Sequence, residues 1–71
     1  MIDVRDGLKK IIAEQGLIQS VVAERAELTP MKLSSILNKK RKLDSNEMFK
    51  LCDVLKITPD ELKRISRLQS D

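Results

Sequence analysis

Five basic residues, Lys32, Lys39, Lys40, Arg41 and Lys42, fall between Leu28 and Leu43 with no acid among them. Such a cluster can neutralise the phosphates of a polyanion; the competing reading is a solvated charged loop. The chain as a whole carries 14 basic and 11 acidic residues, so the 9 bases and 11 acids outside this window leave the remainder at −2. One basic patch on a slightly acidic body fits a polyanion partner as well as a solvated loop, and position must decide between them. Covalent and metal chemistry have little to work with. There is no His and one Cys, Cys52, which excludes a Ser–His–Asp triad, a Cys–His nucleophile and an intrachain disulfide. Zinc would have to rest on one thiolate plus carboxylates. A Ser–Lys dyad is formally open, but no residue pattern suggests the pocket it needs. No enzyme is expected, and no metal, cofactor or small-molecule ligand is indicated. Phe49 is the only aromatic residue, which weighs against binding single strands by base stacking.

These side chains must be placed by a small scaffold. Seventy-one residues, 41% hydrophobic and 35% charged, suit one folded helical domain with a single core. No apolar run approaches the roughly 18 residues of a membrane span. The polar, acidic start at Met1–Asp6 does not resemble a secretion signal. The expectation is a cytoplasmic protein, with residues 1–71 forming one domain, a helical core over about 4–67 and a frayed tail at 68–71.

The periodicity predicts five helices and no strand. The first runs from about Val4 to Gln15, capped by Asp3 and stopped by Gly16, with Val4, Leu8, Ile11 and Ile12 on one face. Gly7 inside it is a local cost. The second covers about Gln19 to Ala26 and buries Val22, Ala23 and Ala26. Thr29-Pro30 is a strong helix start, and the third helix continues to Leu37, burying Leu33, Ile36 and Leu37. Asn38 to Lys42 is a basic loop. Asp44 caps the fourth helix with Glu47 reaching back, and Met48, Leu51, Cys52 and Leu55 form its buried stripe. Thr58-Pro59-Asp60-Glu61 opens the fifth, which carries Leu62 and Ile65. Phe49 either completes the core or lies at a subunit contact, and Cys52 is inert packing. Two short helices joined by a tight turn and followed by a basic loop have the sequence shape of a helix-turn-helix, although other small bundles contain such a pair.

The stretch Leu17-Ile18-Gln19-Ser20-Val21-Val22-Ala23-Glu24 resembles the second-helix signature of the Cro/repressor-type (XRE) helix-turn-helix family. Leu28-Thr29, then Leu33 and Ile36, match its turn and the apolar side of its recognition helix. Lys50-Leu51, Val54-Leu55 and Ile57-Thr58-Pro59-Asp60-Glu61-Leu62 resemble its closing motif. Each motif is weak alone; their order and spacing, from about Leu8 to Leu62, make the match specific. The resemblance implies an all-α, five-helix, lambda-repressor-like DNA-binding domain whose second and third helices form the helix-turn-helix. Several positions depart from the pattern. Glu27 and Lys39 stand where the family often has Gly, and a left-handed Glu27 would add strain of about 1 kcal/mol. Ile12 and Leu37 stand where the family often has an interior Arg–Glu pair. Well-packed apolar residues can replace a buried ion pair at little cost, so these two are expected to touch.

The resemblance also implies site roles. Gln19 bonds a phosphate at the start of the second helix, against the alternative of an exposed Gln with no partner. Pro30, Met31, Lys32 and Ser35 occupy groove-facing positions. Lys32 and Ser35 can reach base edges or phosphates; Met31 offers only apolar contact, to a thymine methyl, or packs partly buried. Asn38 can touch a base edge. Thr29, Lys39, Lys40, Arg41 and Lys42 are expected on phosphates, and Lys9 and Lys10 are weaker candidates. With few base-reading groups, discrimination should be moderate and partly borne by DNA shape. The implied function is sequence-specific binding of double-stranded DNA by a small phage- or plasmid-type repressor. A homodimer on a palindromic operator, with recognition helices about 34 Å apart, is expected, with Ile65 and Leu68 as contact residues. The alternative is a protein-interaction module on the same scaffold, an antitoxin or a regulator of another repressor.

Overall fold

Helix starts are set by short polar side chains that satisfy the first free N–H groups. The computed structural model describes residues 2–69. Its elements are α1 (Val4–Glu14), α2 (Gln19–Arg25), α3 (Pro30–Leu37), α4 (Ser45–Leu55) and α5 (Pro59–Gln69), with no strand among the described residues. Asp3 accepts from the Arg5 N–H at the head of α1 (3.0 Å). Thr29 Oγ1 accepts from the Lys32 N–H at the head of α3 (3.1 Å). Asp44 and Glu47 form a reciprocal capping box before α4, and Thr58 and Glu61 exchange the same pair of bonds before α5. The exception is α2, whose N-cap Ile18 makes no side-chain cap.

Four helix ends share one device. The residues at +φ are Gly16 (64°), Glu27 (59°), Lys39 (62°) and Lys56 (57°). After each, the next N–H reaches back five residues: Leu17 to the Ile12 carbonyl, Leu28 to Ala23, Lys40 to Ser35 and Ile57 to Cys52, at 2.8–3.1 Å. This is the Schellman ending, which satisfies carbonyls the helix leaves open. Glu27, where the family often has Gly, does keep the left-handed conformation; Lys56 adopts it with no such sign in the sequence. A Cβ at such a φ costs about 1 kcal/mol. Glu27→Gly is therefore expected to stabilise the fold by about 0.5–1 kcal/mol, read as a rise of a few degrees in Tm. Loss of the exposed Lys50–Glu27 pair (3.6 Å) offsets little of that gain.

The core is aliphatic. Leu8, Ile11, Ile12, Val22, Ala23, Ala26, Leu33, Leu37, Leu51, Cys52, Leu55 and Leu62 form one buried cluster. Ile12 and Leu37 both belong to it, with α1 packed on α3. Further contacts join α1 to α5, α2 to α3 and α4, and α4 to α5. Several expectations need correcting. Ala26 is buried but caps α2 rather than extending it. Val4 and Met48 are half-buried at the edge of the core. Phe49 is 51% exposed and outside the core, because the buried stripe of α4 passes through Leu51, Cys52 and Leu55. Ile65 is half-buried against the core, so only Leu68 of that pair is an exposed apolar group. Helix α5 continues through Leu68 to Gln69; the rest of the expected frayed tail lies outside the described residues. Burial raises the Cys52 thiol pKa, which disfavours the reactive thiolate.

Glycine in α1 has a packing reason. Gly7 is buried at the α1–α5 crossing, where a Cβ would overlap Ser66 Oγ and stand 3.1 Å from the Leu62 carbonyl oxygen. Ser66 is fully buried. The local cost of Gly7 thus permits close approach of two helices.

At the other edge of α1, Asp3 Oδ1 and Oδ2 accept from Arg5 Nε and Nη2 at 2.9 and 2.8 Å. This bidentate pair, with a smaller opposing effect of burial, lowers the Asp3 pKa from 3.8 to about 2. A depressed carboxylate pKa contributes stability that is fully present above the unfolded value, near pH 4, and is lost as the pH falls through about 2. Asp3→Asn keeps a capping oxygen but loses the ion pair. Its expected cost is about 1 kcal/mol at neutral pH, after discount for partial exposure. Chemical unfolding followed by circular dichroism should show a flatter stability profile for this variant between pH 4 and pH 2.

Candidate nucleic-acid interface

The two faces of α3 have opposite chemistry. Leu33, Ile36 and Leu37 are buried. Met31, Ser35 and Asn38, at i, i+4 and i+7, fall on the opposite side of the helix. Met31 is 80% exposed, so it is not a packing residue. Lys32 flanks this stripe and Thr29 stands at its head. The Thr29 oxygen is occupied by the capping bond, but its hydroxyl proton remains available to an anion. Asn38 Nδ2 donates to Ser34 Oγ at 3.3 Å, a bond it must release to meet a base.

Lys39 to Lys42 continue from α3 as an exposed segment, oriented by the Schellman bonds that end the helix. Their charges are not equivalent. Lys39 Nζ donates to Asp6 Oδ2 at 3.0 Å and lies 3.7 Å from Asp3 Oδ2. Arg41 lies 3.9 Å from Glu47, and its carbonyl accepts from Arg5 Nη1 at 3.1 Å. Among the described residues, Lys32, Lys40 and Lys42 form no ion pair. Three uncompensated ammonium groups therefore border the outward stripe of α3. Gln19 is exposed at the first position of α2, where Ile18 leaves the initial N–H groups without a side-chain acceptor. Of the weaker candidates, Lys10 is paired with Glu14 at 3.3 Å, and Lys9 is exposed on α1.

The arrangement brings together a helix with an outward polar stripe, its capping hydroxyl and a cationic flank. It can meet a groove edge and the adjoining phosphates. The helix-turn-helix family profile HTH_3 matches residues 8–62. The chain belongs to this helix-turn-helix family. Family membership places it among DNA-binding transcriptional regulators. The matched span begins at Leu8 and ends at Leu62, the limits of the resemblance carried by its motifs. Among solved structures, this HTH_3 chain is similar to the clp gene regulator ClgR from C. glutamicum. The TM-score is 0.88 at 16% identity, covering 96% of this chain and 88% of that one. At that identity the likeness concerns the fold. No curated protein matches the chain.

Sequence reasoning missed the contribution of α1 to this region. Arg5, Asp3 and Asp6 reach the basic loop from more than thirty positions away and belong to none of the motifs. Also missed was a groove lined by Leu17, Ile18, Val21, Val54, Arg25 and Lys56, among others. Ile18 is 67% exposed there; an apolar residue at an N-cap was the available signal. No helix of the described residues is long and apolar enough to cross a membrane.

Proposed function

We propose that this HTH_3 protein is a sequence-specific repressor that inserts α3 into the major groove of double-stranded DNA. The observation that carries this reading is the outward stripe of Met31, Ser35 and Asn38 bordered by Lys32, Lys40 and Lys42, which form no ion pair among the described residues. In this reading Met31, Lys32, Ser35 and Asn38 meet base edges. Gln19, Thr29, Lys40, Arg41 and Lys42 meet phosphates, which fix register without reading sequence. One α3 reads only a few base pairs, so a homodimer on a palindromic operator supplies the affinity. Leu68, 75% exposed, and Phe49 are exposed apolar groups that such a contact can bury. The proposal extends to a phage- or plasmid-type regulator of the Cro kind.

Selection from pooled random duplex DNA at two salt concentrations tests this reading. The expected result is a palindrome whose half-sites lie one helical turn apart, with retention falling steeply as salt rises. The apolar groove beside Ile18 and Val21 favours a second reading, a module that binds another protein. That reading predicts no recovered motif and an affinity for its partner that salt changes little.

A further inference from the structure

The basic loop is tied to the first turn of α1 by contacts that no helix-turn-helix motif records. Arg5 bonds Asp3 through Nε and one terminal nitrogen, Nη2, and reaches the Arg41 carbonyl through the other, Nη1. Its guanidinium thus bridges the α1 cap to the loop backbone, a use suited to its rigid fork of donors. Two residues earlier in the loop, Lys39 turns its ammonium to Asp6 and Asp3. The left-handed backbone at Lys39 starts the loop on this course, and the Lys40 N–H bond to Ser35 secures it.

We infer that Arg5, Asp3 and Asp6 are positioning residues of the DNA face: Arg5 anchors the loop at Arg41, and the two carboxylates withhold Lys39 from the phosphates. This rests on the DNA-binding reading above and changes its charge inventory. An ammonium already neutralised by Asp6 displaces no counterion when DNA binds. Lys32, Lys40 and Lys42 then carry the salt dependence of this segment, with Arg41, whose contact to Glu47 is a looser 3.9 Å, adding to it. The loop meets DNA already ordered, so less chain entropy is lost on binding.

Two measurements on the full chain separate the possibilities. The first is affinity for a fixed duplex of random sequence across a salt series. Lys39→Gly, which suits the left-handed backbone, is expected to leave the slope of log K against log salt unchanged. Lys40→Ala should make it shallower by about 0.9. Asp6→Asn, which leaves Lys39 only the longer contact to Asp3 (3.7 Å), should make it steeper by part of that amount, and adding Lys39→Gly should reverse that change. The second measurement needs no DNA. Trypsin cleaves after Lys and Arg, so Arg5→Gln should speed cleavage within 39–42 about five- to tenfold, with cleavage after Lys63 and Arg64 as the control for global unfolding. A slope lowered equally by Lys39→Gly and Lys40→Ala would overturn the withholding of Lys39. Unchanged cleavage in Arg5→Gln, or equal acceleration at the control sites, would overturn the anchor. If no variant binds duplex DNA in a salt-dependent way, the DNA reading fails, while the trypsin result still decides whether the loop is tied to α1.

Discussion

Replacing Lys32, Lys40 and Lys42 together by Ala is expected to weaken binding to duplex DNA about a hundredfold near 0.15 M salt. The estimate follows from counterion release. Each phosphate neutralised contributes about 0.9 to the salt slope, and about fivefold in affinity at that concentration. The three ammonium groups form no ion pair among the described residues, so their removal leaves no buried charge behind. Lys40 and Lys42 are exposed and lie outside any helix, and Lys32 is half-buried at the edge of the outward stripe of α3. Stability should therefore change by less than about 0.5 kcal/mol. Fluorescence anisotropy over a salt series measures the binding, and thermal unfolding followed by circular dichroism measures the stability. The slope should become shallower by about 2.7 and the Tm should hold. An unchanged slope with intact folding would place the phosphates on another face and favour the protein-binding reading.

Met31, Ser35 and Asn38 differ from these lysines in kind. Neutralising a phosphate contact weakens binding to all sequences alike, whereas changing a base contact alters which sequence is preferred. Lys32 sits between the two classes, beside the stripe and charged. Its single substitution should both lower the salt slope and relax preference at one position of the site.

How much of this was legible from residues alone depended on how local the physics is. Helix starts at Asp3, Thr29, Asp44 and Thr58 were legible because a cap is decided by residues two or three apart. The helix-turn-helix was legible because Val22, Ala23, Leu33, Ile36 and Leu37 keep helical spacing on either side of a turn. The family resemblance marked Glu27 and Lys39 as usual Gly positions, and both are left-handed; Lys56, at an equivalent helix end, carried no such mark. Charge was read correctly as a patch but not as individual groups. Whether a lysine is free depends on which acid the fold brings to it, and Asp6 meets Lys39 across 33 positions of chain. Phe49 was ambiguous for the same reason. Its hydrophobicity favours burial, but the angular position of its site on α4 is set by the neighbours that won the core.

The largest stability effect of a one-carbon change is expected at Gly7. In an exposed helix interior, Gly→Ala gains about 1 kcal/mol from helix propensity. At Gly7 the added Cβ would overlap Ser66 Oγ, and would lie 3.0 Å from Leu62 Cδ1 and 3.1 Å from the Leu62 carbonyl oxygen. The Ser66 hydroxyl could rotate, but the Leu62 carbonyl belongs to the backbone of α5. That helix must move away, and Leu62, fully buried, moves with it. Overpacking of this kind costs about 1–3 kcal/mol, enough to outweigh the propensity gain. Gly7→Ala should lower Tm by up to roughly 15 °C for a domain of this size. Adding Ser66→Ala removes the oxygen but leaves the Leu62 contact, so it should recover only part of the loss. The double-mutant cycle would then show a coupling of about 0.5–1 kcal/mol. Gly16→Ala is the contrasting case: it meets nothing within 4 Å but sits at φ 64°, so its cost is one of backbone strain and Ser66→Ala should not alter it. A rise in Tm for Gly7→Ala, as at an ordinary helix glycine, would show that α1 and α5 do not approach this closely and that the seat of the first turn of α1, from which Arg5 and Asp6 reach the basic loop, is set in another way.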